Sequence, residues 1–164
     1  MLTQVRVSSA FVHAATPLET RPTAKDFRAI WDTGATATCI TRDIVEACGL
    51  MPVGVTQIHT ANGVRQTETF LVNITLPNGF IVENVTVAMT DVGPGADALI
   101  GMDIITQGDF AVTNRNGTTV FSFRMPSVVE FDFVKETELL ARAHAAAPKQ
   151  TPGHSFHGKG KRHK

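Results

Sequence analysis

Apolar and polar positions in this chain alternate more often than they recur at helical spacing, and glycine, proline and asparagine break the alternation at short intervals. Such a pattern predicts short strands joined by tight turns. Residues 2 to 15, rich in Val, Ser, Thr and Phe, predict a first strand that gives way to a polar connection at Pro17. The run Phe27-Arg28-Ala29-Ile30-Trp31 alternates towards an apolar end and leads straight into Asp32-Thr33-Gly34, where glycine permits a turn that other residues resist. A strand therefore delivers Asp32 to a tight turn. Thr41 is a candidate N-cap for a short amphipathic helix over 42–48, and Gly49 suits its C-terminal cap.

Residues 55 to 90 read as an antiparallel meander, because Asn62-Gly63 and Asn78-Gly79 each have the composition of a two-residue hairpin turn. Gly93, Pro94 and Gly95 mark a loop, after which the apolar strand Ala98-Leu99-Ile100 ends on Gly101. A helical turn over 102–107 stops at Gly108, and strands over 110–114 and 118–124 are joined through Asn116-Gly117. The fold class is mainly β. Residues 136–147 favour helix by composition, whereas 148–164 is polar and basic and predicts disorder. The expected organisation is one domain over 1–134 and a helical, then disordered, tail over 135–164.

Composition adds limits. With 164 residues, 43% of them hydrophobic, the chain can bury one sizeable core and calls for one active site. Its formal charge is +0, but residues 154–164 hold Lys159, Lys161, Arg162 and Lys164 and no acid, so the remainder is acidic by the same four charges. Cys39 and Cys48 form no C-x-x-C pair and read as two buried thiols. The N-terminus has no leader pattern and no stretch approaches the length of an apolar membrane span, from which a cytoplasmic protein without membrane attachment is expected.

The candidate chemistry lies in two segments. Residues 30–40, IWDTGATATCI, present Asp-Thr-Gly-Ala at the end of an apolar strand; alone, this is equally well an ordinary turn between strands. The second, Ala98-Leu99-Ile100-Gly101-Met102-Asp103-Ile104-Ile105, places an apolar strand and a glycine ahead of a short helix, with Gly101 69 residues after Asp32. In this order the two segments resemble the signatures of retropepsin-like aspartic proteases, over roughly residues 1 to 125. Compact retroviral members usually carry arginine after the second glycine. Met102-Asp103 looks more like retrotransposon and bacterial or phage relatives, and suggests a bacterial or phage source.

The resemblance implies a closed, barrel-like β lobe with one or two short helices, functional as a homodimer. Asp32 would be catalytic, supported by Thr33, Gly34 and Ala35, with Ile100 and Gly101 backing the loop. Ala61, Asn62 and Gly63 would form the tip of a flap closing over peptide. Such chemistry needs two carboxylates sharing a proton, and Asp-Thr-Gly occurs once in this chain, so the second must come from another copy. The implied partners are a second copy and a peptide or protein substrate, with no metal or organic cofactor, because the nucleophile is water. A competing reading is a retropepsin-fold dimer that binds extended peptides without cutting them. A third is an enzyme that processes only itself or a neighbouring polyprotein.

Other signals point elsewhere less strongly. Asp91, Asp97, Asp103 and Asp109 match no metal loop and read as turn and helix-end residues, Asp103 in a helix's first turn. His154 and His157 lack a third ligand. Four basic residues in the tail support at most weak contact with nucleic acid. Trp31, beside Asp32, reads as core packing.

Overall fold

The computed structural model describes residues 1–60 and 63–146. They fall into two compact units, Met1–Val129 and the described part of Glu130–Lys164. In the first, the chain runs through β1 (Leu2–Ser9), β2 (Lys25–Trp31), β3 (Cys39–Ile40), α1 (Arg42–Cys48), β4 (Gly54–Thr60), β5 (Gly63–Thr75), β6 (Ile81–Met89), β7 (Ala98–Ile100), α2 (Met102–Ile105), β8 (Asp109–Thr113) and β9 (Val120–Arg124).

The strand order β1-β2-β7-β3-β6-β5-β4 closes on itself because β5 also pairs with β1. The length of β5 makes this possible: along one edge its first half pairs with β4 and its second half, Val72–Thr75, pairs with β1. A ring of strands results, with the β4–β5 hairpin extending from it. Closure removes free edges and leaves an interior filled by branched and aromatic side chains, among them Val5, Val7, Ile40, Ile44, Phe70, Val72, Ile74, Val87, Ile100 and Ile104. A register shift between Val72 and Ile74 accommodates Asn73, whose buried amide donates to the Phe11 carbonyl at 2.7 Å and accepts from the Asn84 N–H at 2.9 Å. The polar group is thus satisfied inside the barrel.

Two pairings decide where the site forms. β2 and β7 run parallel, with Trp31 opposite Ile100. β7 in turn pairs antiparallel with β3, Cys39 opposite Leu99. Parallel neighbours end at the same side of a sheet, so the segments that follow, Asp32-Thr33-Gly34 and Gly101-Met102-Asp103, start side by side.

Several local expectations change in the folded chain. The first strand stops at Ser9, because the amides of Ala15 and Thr16 turn back onto the Val12 carbonyl. Thr41 occupies the N-cap position of α1, but its side chain makes no capping bond and its buried hydroxyl oxygen has no partner; Gly49 does close the helix in the left-handed conformation, at φ 60°. Cys39 and Cys48 are only half-buried, not enclosed. β8 and β9 are joined by residues 114–119, including a turn of 3-10 helix at Arg115–Gly117, instead of a two-residue turn. Asn116 and Gly117 both have positive φ, which matches their suitability for a reversal while lengthening it.

The β8–β9 ribbon carries Phe110, Phe121 and Phe123 onto Trp31, with ring centroids 6.1, 5.0 and 4.9 Å from the indole. The indole N–H donates to Thr3 Oγ1 at 2.9 Å, and Trp31 is 6% exposed, so packing is its role. Asp109 fastens the next segment to this ribbon. It accepts from Ser127 Oγ at 2.6 Å, the Val128 N–H at 3.0 Å and Arg124 Nε at 2.7 Å. The Ser127 bond foremost, then the Val128 amide and Arg124, holds its carboxyl at about 2 instead of the usual 3.8. A lowered carboxyl stabilises the fold above its unfolded value and ceases to do so as pH falls through its folded one. Trp31 fluorescence should therefore report loosening of the ribbon between about pH 4 and pH 2. In Asp109→Asn this component should be missing; a change of equal size in the variant would show that other groups cause it.

The second unit contains α3 (Phe133–Ala146). It begins three residues before the expected 136 because Asp132 supplies an N-cap, accepting from the Lys135 N–H at 3.0 Å. Among the described residues no helix is long and apolar enough to cross a membrane. The expected disordered tail over 148–164 and the metal-binding reading of His154 and His157 lie outside the described residues.

Candidate active site

Asp32 leaves β2 with its N–H bonded to the Ile100 carbonyl at 3.0 Å, which fixes the start of its loop to β7. The loop then folds over its own carboxylate: the Gly34 N–H donates to Asp32 Oδ1 at 2.8 Å and the Ala35 N–H to the Asp32 carbonyl at 3.3 Å. The Gly34 amide bond thereby fixes the orientation of the Asp32 carboxylate. Asp32 is half-buried, whereas Thr33 and Gly34 are exposed. The Thr33 hydroxyl has no hydrogen-bond partner among the described residues.

The second segment holds this loop from behind. Met102 N–H donates to the Ala35 carbonyl at 2.8 Å and Asp103 N–H to the Thr36 carbonyl at 3.2 Å. Gly101 is extended, at φ −95° and ψ −175°, a conformation open to any residue, so its glycine is required by space. A Cβ there would lie 2.6 Å from the Ala37 carbonyl carbon and 2.7 Å from its oxygen. Only glycine lets the two backbones approach so closely.

Thr38 and Asp103 complete the junction. Thr38 is 0% exposed; its hydroxyl donates to Asp103 Oδ1 at 2.7 Å and accepts from the Gly101 N–H at 3.1 Å, while its own N–H donates to Asp103 Oδ2 at 2.9 Å. Asp103 Oδ1 also accepts from the Ile104 N–H at 3.0 Å. The carboxylate therefore ties the first turn of α2 to the far end of the Asp32 loop. Replacing Thr38 by valine keeps the volume but strands the buried Gly101 N–H, and should cost about 2 kcal/mol, read as a lower midpoint in urea with an unchanged slope. An unchanged midpoint would mean that the junction is held by backbone bonds alone.

Beside this junction, the thiol of Cys39 is raised from its ordinary value, first by burial and then by the charge of Asp103. Burial also raises Cys48, whose Sγ lies 3.4 Å from the Val7 carbonyl. Both thiols are therefore poor nucleophiles. Of the acidic residues near the second segment, Asp97 accepts from the Arg28 N–H at 2.8 Å at the entry to β7, and Asp103 and Asp109 are engaged as described. The hairpin over the predicted flap is present, with Thr60 opposite Gly63. Of its predicted tip, Gly63 opens β5, while Ala61 and Asn62 lie outside the described residues.

The fold thus brings Asp32, Thr33, Gly34 and Ala35 into one loop stitched to Ile100 and Gly101. In the sequence alone Thr38 is inconspicuous, and Asp103 reads only as a helix-end charge. A threonine six residues beyond Asp32 and an aspartate two beyond Gly101 were the available signal.

A mainly β barrel that joins an Asp-Thr-Gly loop to an Ile-Gly segment is that of a retropepsin-like aspartic protease. The family model described as "gag-polyprotein putative aspartyl protease" matches residues 21–107, and the chain belongs to that family. Solved structures similar to it include the protease of Simian Foamy Virus (mac), 20% identical over 65% of this chain and 92% of that one, with a TM-score of 0.42. A retropepsin-like aspartic protease from Rickettsia conorii is 18% identical over 69% of this chain and 86% of that one, with a TM-score of 0.38. A foamy viral protease-reverse transcriptase in complex with an RNA/DNA hybrid is 17% identical over 91% of this chain but only 16% of that one, with a TM-score of 0.43. No curated protein matches the chain.

Proposed function

We propose that two copies of this chain form an aspartic endopeptidase, each contributing Asp32 to one catalytic pair. The observation that carries this reading is the Asp32 loop itself: a half-buried carboxylate, held by the Gly34 amide and backed by Gly101, that occurs once in the chain. Two such carboxylates brought together across a two-fold axis cannot both ionise readily and would share a proton. The ionised partner takes a proton from water as it attacks the scissile carbonyl; the protonated partner donates to the carbonyl oxygen. Collapse of the resulting tetrahedral species then breaks the C–N bond: the first carboxyl passes the proton it took from water to the leaving nitrogen, and the second reclaims its proton from the hydroxyl as the carbonyl re-forms.

Thr33 supports this arrangement by its exposure and its unpartnered hydroxyl, which suit a bond to the second copy's loop. Gly34 and Ala35 would shape the carboxylate's surroundings, Ile100 and Gly101 would back the loop, and Ala61, Asn62 and Gly63 would close over an extended peptide. The protease domain is proposed to span 1–134, with 135–164 as an appendage; the division of the chain after Val129 supports a boundary in this region. The mechanism invokes no metal or organic cofactor. Incubating the full chain with a mixed peptide library and reading the products by mass spectrometry tests the reading. Cleaved peptides that disappear with a statine-type transition-state mimic support it; peptides retained but uncut would establish a binding module instead.

A further inference from the structure

A polar pocket of about 270 Å³ lies where the β5 arm of the β4–β5 hairpin faces the start of α1 and the end of β6. Arg42 enters it from the start of α1, Arg65, Gln66 and Thr67 from β5, and Thr90 and Asp91 from the segment after β6. Its walls are partly fixed: Arg65 Nη2 donates to Thr90 Oγ1 at 2.8 Å, and Thr67 Oγ1 donates to the Met89 carbonyl at 2.6 Å. Its charges are not matched. Among the described residues the only ion pairs are Arg124–Asp109 and Arg142–Glu138, so neither Arg42 nor Arg65 has a carboxylate within reach, although Asp91 shares the pocket.

Two guanidinium groups facing one concavity repel each other, and each offers planar, forked donors suited to a two-oxygen anion. One acid against two bases leaves the pocket net positive. The Thr90 hydroxyl adds a neutral polar group that can take part in the coordination of an oxyanion. We infer that this pocket is a binding site for an oxyanion of the carboxylate or phosphate class, held between Arg42 of α1 and Arg65 of the hairpin. Because the two arginines belong to different elements, a bound anion would fasten the β5 arm of the hairpin to the start of α1.

The site does not depend on the chemistry of Asp32, so its test stands apart from that of the protease reading. The full chain, labelled with ¹⁵N, is titrated at low ionic strength with inorganic phosphate, and separately with two blocked tripeptides that differ only in a central Glu or Gln. Saturable shifts are expected at Arg42, at Arg65 to Thr67 and at Thr90. Arg42→Gln and Arg65→Gln should each weaken binding about tenfold, while Arg6→Gln, on β1, should leave it unchanged. Binding of phosphate alone would point to a free anion as the source; discrimination of the Glu from the Gln peptide would point to an acidic side chain, and either result supports the site. Absence of saturable shifts, or shifts that survive both Arg42→Gln and Arg65→Gln, would overturn it. Both arginines are exposed, so both variants are expected to fold.

Discussion

Asp32→Asn is expected to abolish the proposed peptide cleavage, with a loss of at least about 10³-fold, while the chain keeps its fold. The two halves of this expectation come from different atoms. Cleavage fails because an amide can neither take a proton from water nor share one with its counterpart. The fold persists because the bond that Asp32 makes within the chain, from the Gly34 N–H at 2.8 Å, ends on Oδ1, and the amide oxygen of asparagine can accept it equally well. Circular dichroism and the thermal midpoint should be nearly unchanged. Residual cleavage above a tenth of the parent rate would place the chemistry elsewhere. Loss of folding would mean that the carboxylate is structural.

The second large effect is expected at Gly101, for the opposite reason. Alanine there brings a methyl group to 2.6 and 2.7 Å from the Ala37 carbonyl and 3.0 Å from the Thr38 nitrogen, all backbone atoms that cannot swing aside. Either the Asp32 loop or β7 must shift, and both are tied by the bonds of Met102, Asp103 and Thr38. A destabilisation of about 3 kcal/mol is expected, lowering the thermal midpoint by about 10 °C, together with loss of activity even where the chain remains folded. Gly49 is a useful comparison, since a Cβ there meets nothing within 4 Å and the cost is only that of a left-handed backbone, about 1 kcal/mol. If Gly101→Ala proved as mild as Gly49→Ala, close backbone contact behind the Asp32 loop would be refuted.

These two residues were the most legible in the sequence, because each marks a break in an apolar strand and the break needs a particular residue type. The junction between their segments was not legible from alternation, which gives the faces of β2 and β7 but not their parallel pairing. The same limit hid Thr38, whose hydroxyl has meaning only once Gly101 and Asp103 arrive from more than 60 residues away. Gly108 read as a helix stop, but its larger constraint is spatial: a Cβ would fall 2.0 Å from the Arg124 carbonyl of β9. Arg42 and Arg65 appeared unremarkable in sequence, because their common pocket exists only after the barrel closes. By contrast, the left-handed Gly49 cap and the short α2 depend on near neighbours, and both were readable.

In the proposed enzyme one catalytic site is built from two chains. Titration of the active protein with a tight, statine-type transition-state mimic, with chain concentration determined independently, measures this directly. The proposed arrangement predicts that activity falls to zero at one mimic per two chains, and that the inhibited species has the mass of a dimer. An end point at one mimic per chain, on a species with the mass of a monomer, would contradict it.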